Sequence, residues 1–192
     1  MDNIDCVKKR IEEIINTSPV PEDPIHSKNT LEWLLRLKPD ADKALQIAAL
    51  GHDIERAIDE RKVRREDYQN YDEFKAAHAL NSARIISEIM EKCEVEKAVI
   101  GDVFDLVFHH ETGGGERSNK LRNADILSFF EVNLPLYFTR NTREEVLRRC
   151  LWGYRRLSNY LISCSCFSVK QAVTFFPHAF IVLFSLNGFK CA

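Results

Sequence analysis

Apolar residues recur along most of this chain at the three- and four-residue spacing of an amphipathic helix, and they predict a series of helices. Residues 3–16 carry Ile4, Val7, Ile11, Ile14 and Ile15 on one face. Ser18-Pro19-Val20-Pro21 ends that element, because proline has no amide hydrogen to continue the ladder. A second pattern opens at His26 and runs through Trp33, Leu34 and Leu37 to Pro39. Asp40 or Asp42 can start a third, through Ala41, Leu45, Ala48 and Ala49 to His52, which lies on the core-facing stripe. From Asp59 to Asn70 the chain is charged and reads as an exposed loop with room for a short helix. Tyr71–Cys93 and Val95–His110 are the next helices, the second stopped by Gly113-Gly114-Gly115. Another is predicted from about Ser118 to Val132. Thr142-Arg143-Glu144-Glu145 matches a capping box opening a helix through Val146, Cys150, Leu151, Tyr154, Leu157 and Leu161. No alternating strand pattern of any length appears before residue 165. The expectation is an all-α domain over residues 1–163, a bundle of about six or seven helices.

The remainder, residues 164–192, changes character. Gln171 to Phe189 contains no formally charged residue and approaches the ~20 residues needed to cross a bilayer. Gln171, Pro177, His178 and Asn187 interrupt it, so the expectation is an atypical hydrophobic tail rather than a membrane span.

Size and charge narrow the partners. A chain of 192 residues suits one domain with a sizeable core. The net charge of −2 provides no basic footprint, so a nucleic-acid polymer is not the expected partner. Six cysteines without a CxxC pair, in a chain without an export signal, read as free thiols in a reducing cytoplasm. Cys164 and Cys166 form only a CxC and read as ordinary thiols.

The chemistry lies where polar residues interrupt apolar helices. His52-Asp53 follows an apolar run, and burying that pair costs several kcal/mol unless both groups find partners. His26, His78, His109, His110 and Asp125 are spread through the helical region and can supply them. Imidazole nitrogen with carboxylate oxygen suits Mn, Fe, Mg, Co, Ni or Zn, and no thiolate pattern selects a softer metal. Adjacent helical residues point about 100° apart, so His52 and Asp53 can meet one ion only at a helix edge or across a groove.

The order His26, His52-Asp53, His78, His109-His110, Asp125 resembles the HD superfamily of metal-dependent phosphohydrolases over roughly residues 22–135. The resemblance implies that His26, His52, Asp53 and Asp125 hold one divalent metal. It also implies that His78, His109 and His110 accompany a second, with Asp53 as a bridging carboxylate. His109-His110-Glu111-Thr112-Gly113-Gly114-Gly115 is similar to the His-His-Glu and glycine stretch of cyclic-dinucleotide phosphodiesterases of the HD-GYP type, but the Gly-Tyr-Pro is missing. His52-Asp53-Ile54-Glu55-Arg56 resembles their His-Asp-Ile-Gly-Lys, with Arg56 at the lysine position.

The expected function is a cytoplasmic phosphohydrolase acting on a small phosphomonoester or phosphodiester, above all a nucleotide, through a metal-activated water. Asp53 and Arg56 are the catalytic candidates. Arg56 is placed to meet a phosphate or to be a solvated helix-end arginine, and Lys120 and Arg122 are further substrate-binding candidates. Glu22 is an extra ligand or a loop carboxylate; Glu55 is a proton relay or, as expected here, an exposed salt-bridging glutamate. Asp102 and Asp105 are candidates for orienting the imidazoles. Two alternatives share the ligands: a binding-only nucleotide or metal sensor, and a di-iron oxygenase.

Overall fold

The computed structural model describes residues 2–158, which are helical without strands. They fall into two compact units, one ending at Ser128 and one starting at Phe129. The tail at 164–192 and the expected boundary at 163 lie outside the described residues. Among the described residues no helix is long and apolar enough to cross a membrane.

The first unit contains α1 (Asn3–Ile15), α2 (Asp23–Leu37), α3 (Lys43–Gly51), α4 (Tyr71–Lys92), α5 (Lys97–Phe108) and α6 (Glu116–Ser128). Asp2, Asp42 and Asn70 cap α1, α3 and α4, each side chain accepting a first-turn amide that has no partner within its helix. Asp42, rather than Asp40, is therefore the start of α3. The second helix begins at Asp23, three residues before His26, with Pro24 in its first turn, where the missing amide hydrogen costs nothing.

The third helix is the centre of the unit. Every residue from Ala44 to Gly51 except Gln46 is buried, and the helix packs against α1, α2, α5 and α6. Its sequence reads as a single apolar stripe, but small alanines let neighbours close around the whole helix. Gly51 belongs to this packing: a Cβ there would lie 2.6 Å from Ile86 Cδ1 and 3.3 Å from Ile11 Cδ1. The core of Val7, Ile11, Leu34, Leu45, Ile47, Ile86, Met90, Val103 and Leu121 surrounds it.

Cys6 and Cys93 form a disulfide across 87 residues, with Cα atoms 5.9 Å apart. The free-thiol expectation does not hold for these two, and with it goes that support for a reducing compartment. Packing α1 beside the end of α4 brings them together, and no local spacing announces it. Cys150 is a free, buried thiol, which burial pushes up to about 11.

The second unit opens with a π-helical turn, Phe129–Asn133, followed by α7 (Leu134–Arg140) and α8 (Arg143–Tyr154). The expected helix to Val132 therefore leaves α geometry at Ser128, and α7 restarts with Pro135 in its first turn. Thr142 caps α8 through the Glu145 amide. Glu145 turns its own carboxylate to the Tyr137 hydroxyl, so only half of the capping box forms. Leu134, Val146 and Cys150 pack with Phe129, Phe130 and Tyr137 as a small core.

Candidate metal centre

Four imidazoles and two carboxylates from five elements meet inside the first unit. His26 comes from the first turn of α2, His52 caps the end of α3, and Asp53 follows in the turn. His78 lies in α4, His110 just beyond α5, and Asp125 in α6. The orientation problem at His52-Asp53 is solved by ending the helix. Gly51 is the last helical residue, and Asp53 leaves helical backbone (φ −104°, ψ 13°), so both side chains turn to the same centre. Ser27 Oγ donates to Leu50 O at 2.6 Å, tying α2 to the end of α3 and bringing His26 against His52.

Each imidazole is held from behind. Nδ1–H of His52 donates to Ala49 O (3.0 Å) and that of His110 to Val107 O (2.6 Å). Nδ1–H of His78 donates to Glu55 Oε1 (2.7 Å) and that of His26 to Ser128 Oγ (2.8 Å). Ser128 accepts because its own hydroxyl donates to His26 O at 3.1 Å. This network assigns the tautomers and leaves all four Nε2 atoms facing inward.

His26 Nε2 lies 3.3 Å from His52 Nε2 and 3.2 Å from Asp125 Oδ1, and His52 Nε2 is 3.4 Å from the same oxygen. Asp53 Oδ1 is 2.7 Å from His78 Nε2 and 3.8 Å from both His52 Nε2 and His110 Nε2; Oδ2 is 3.9 Å from His26 Nε2. The donor atoms form two main groups, His26, His52 and Asp125, and Asp53, His78 and His110, each within 4.8 Å. His110, Glu111 and Asp125 form a third such group. These buried groups could hold a metal ion. The fit has two signs besides proximity. Two imidazole lone pairs at 3.3 Å repel unless a proton or a cation lies between them. His110 Nε2, fully buried, faces two carboxylate oxygens, Glu111 Oε1 at 3.3 Å and Asp53 Oδ1 at 3.8 Å, an arrangement a cation would satisfy.

The electrostatics without an ion are those of cations and anions sharing one cavity. Burial opposes charge on His52, but Asp53 and Asp125 outweigh it and lift the ring to about 9. Burial and Lys75 oppose charge on His78, while Asp53 and Glu55 raise it overall. Burial pushes Asp53 up, yet His52, His78 and Arg56 hold it well below the usual carboxylate range. Asp125 is likewise held low against burial by His26 and His52.

Not every candidate faces the cluster. His109 is exposed, with Nδ1 on Asp105 O at 2.8 Å and its ring against Phe108, and belongs to none of the donor groups. The α-helix stops at Phe108, and only the second histidine of the pair turns inward. Arg56 bonds Asp53 Oδ2 (3.0 Å) and Asp23 Oδ1 (2.9 Å), so it holds Asp53 in place. Arg122 donates to Thr112 O at 2.9 Å and braces the Gly113 turn, where φ is +71° and a side chain would strike Asn119 and Arg122. Lys120 is half-buried on α6. Asp102 binds Arg117 at 2.7 Å, and Asp105 acts through its backbone carbonyl; neither carboxylate orients an imidazole of the centre.

Glu55 reverses the exposed reading. It is 1% exposed, and it accepts from the Val63 amide at 2.6 Å as well as from His78. Glu22 is also buried, at the start of α2, and belongs to none of the donor groups. Ser128 had no signal in the chain pattern, and Lys75 had only a weak one. Lys75 is the ion-pair partner of Glu111, one turn before His78 on α4. That i, i+3 spacing is the only local hint.

With this geometry in view, the sequence matches the family described as a domain of unknown function, DUF4202, over residues 3–160. The chain belongs to the DUF4202 family. No curated protein and no solved structure matches it. The matched span of this DUF4202 member contains every residue of the cluster and its outer partners, from His26 to Ser128.

Proposed function

We propose that this DUF4202 domain is a metal-dependent phosphohydrolase of the HD type, acting on a phosphomonoester or phosphodiester and above all on a nucleotide. The observation that supports it most is the convergence of four back-bonded imidazoles on Asp53 and Asp125. His26, His52 and Asp125 would hold one divalent ion, and Asp53, His78 and His110 a second, with Asp53 near both sets. The donors suit Mn, Fe, Mg, Co, Ni or Zn. A divalent ion bound there supplies Lewis acidity toward a phosphoryl oxygen and a water of lowered pKa.

The chain's own groups do the positioning. The backbone carbonyls, Glu55 and Ser128 fix the ring orientations, and Arg56 anchors Asp53 Oδ2 so that Oδ1 faces His52, His78 and His110. The side chains of Asp53 and Asp125 are 15% and 18% exposed while the imidazoles are closed off, so the carboxylate side is where a substrate approaches.

Elemental analysis of purified protein, then a phosphoester and nucleotide panel with the found metal restored, tests the reading. Asp53→Ala should lose metal and hydrolysis while keeping helical circular dichroism. Identical behaviour of metal-loaded wild type and Asp53→Ala across the panel refutes it. A second reading, binding without turnover, draws support from Arg56 and Arg122, whose guanidinium groups are engaged by the protein itself. Tight nucleotide binding with no product in any metal would favour it.

A further inference from the structure

Beside the cluster, on the same helix, lies a group of rings that the metal chemistry does not use. Tyr71, Phe74 and His78 fall at i, i+3 and i+7 on α4, one face of the helix. The Phe74 ring is 5.8 Å from Tyr71, 6.3 Å from Tyr68 and 6.3 Å from His78, tilted 31° to the imidazole. All three aromatic residues are half-buried, and none belongs to the main hydrophobic core. Tyr68 sits in the loop before α4, where Arg65 Nη1 donates to its carbonyl at 2.7 Å. That loop carries Arg61, Lys62, Arg64 and Arg65 together with Asp59, Glu60, Glu66 and Asp67, so its charges balance.

We propose that Tyr68, Tyr71 and Phe74 form an aromatic shelf that stacks the heterocyclic base of a nucleotide whose phosphate lies at the His/Asp cluster. The inference rests on the phosphoester reading of that cluster and adds to it the element that holds the base. Two observations converge. The rings are flat, partly open and held near one another, which is what base stacking needs whatever the base. His78 joins shelf and cluster, since its ring neighbours Phe74 while its Nε2 bonds Asp53 at 2.7 Å. The step from shelf to cluster is thus one side chain wide, comparable with the sugar between base and phosphate.

The test compares binding of adenosine monophosphate, uridine monophosphate and ribose phosphate to the metal-loaded full chain. Wild type should bind both nucleotides about tenfold or more tighter than ribose phosphate, the scale of one stacked base. Phe74→Leu and Tyr71→Leu, which keep apolar volume but lose the flat ring, should bring that ratio toward one. Transferred nuclear Overhauser effects from base protons to aromatic ring protons should appear in wild type and weaken in Tyr71→Leu, which keeps the test valid if Phe74→Leu does not fold. An unchanged nucleotide-to-ribose-phosphate ratio in both variants, or in the one that folds, overturns the shelf and leaves it a packing contact of the loop. If base-dependent binding is lost in the variants yet wild type hydrolyses nothing, the shelf stands and the hydrolase reading falls. If wild type hydrolyses phosphoesters without any preference for a base, the hydrolase reading stands and the shelf falls.

Discussion

Glu55→Ala is the substitution that best separates a built metal centre from a fortuitous cluster. Glu55 belongs to none of the donor groups; it reaches the cluster through the back of His78. The substitution removes the acceptor 2.7 Å from His78 Nδ1 and the acceptor 2.6 Å from the Val63 amide. His78 is 2% exposed, so its Nδ1–H would be left without a partner, at about 1–3 kcal/mol. Val63 is half-buried, and water can replace part of its bond. The expected destabilisation is therefore about 2–4 kcal/mol, read by denaturant unfolding in chelator. Freed from Glu55, the ring can swap tautomer, and the affinity for a divalent ion should fall about 10–100-fold in a competition titration. Glu55→Gln retains an acceptor and should lie between the two. Glu88→Ala is the control: it removes the exposed Arg61 pair at 2.6 Å and should cost less than about 1 kcal/mol with no effect on metal affinity. Wild-type metal affinity in Glu55→Ala, with nitrogen NMR still showing a protonated Nδ1 on His78, would refute the orienting role.

Three further outcomes follow from the same geometry. His109→Ala should change stability by less than about 0.5 kcal/mol and leave metal content intact, whereas His110→Ala should lower the metal content found by elemental analysis; equal effects would contradict the inward turn of His110 alone. In chelator-treated protein the stability owed to protonated His52 is fully present below 6.5 and lost as pH rises through about 9, so the thermal midpoint should decline over that window and His52→Gln should flatten the decline. In the oxidised protein Cys6→Ser opens a loop spanning 87 residues and should cost about 2–5 kcal/mol; an unchanged unfolding midpoint, or free Cys6 and Cys93 thiols by mass spectrometry, would contradict the disulfide.

The helical nature of the chain was legible from local pattern because caps, prolines and glycines act within a turn of where they stand. Asp42, Asn70 and Thr142 each bond an amide three residues on, so a short window contains both partners. The ordered set from His26 to Asp125 was legible for a different reason: histidines and aspartates in apolar helices are costly to bury singly, so their recurrence implies a meeting point. That argument selects residue types but not directions. His109 and His110 are both ligand candidates in the chain, yet only His110 turns inward, because α5 ends at Phe108.

The outer partners divide along the same line. His52 and His110 are held by carbonyls three residues earlier, a consequence of sitting at helix ends. His78 depends on Glu55, 23 residues away, and His26 on Ser128, 102 residues away, so only tertiary packing decides them. The same holds for Arg56, which packing commits to Asp53 and Asp23, and for Cys6 with Cys93. Periodicity and capping are short-range and survive in the one-dimensional pattern. The direction of a buried polar group is set by whichever distant acceptor the fold brings behind it, and that information exists only once the helices have packed.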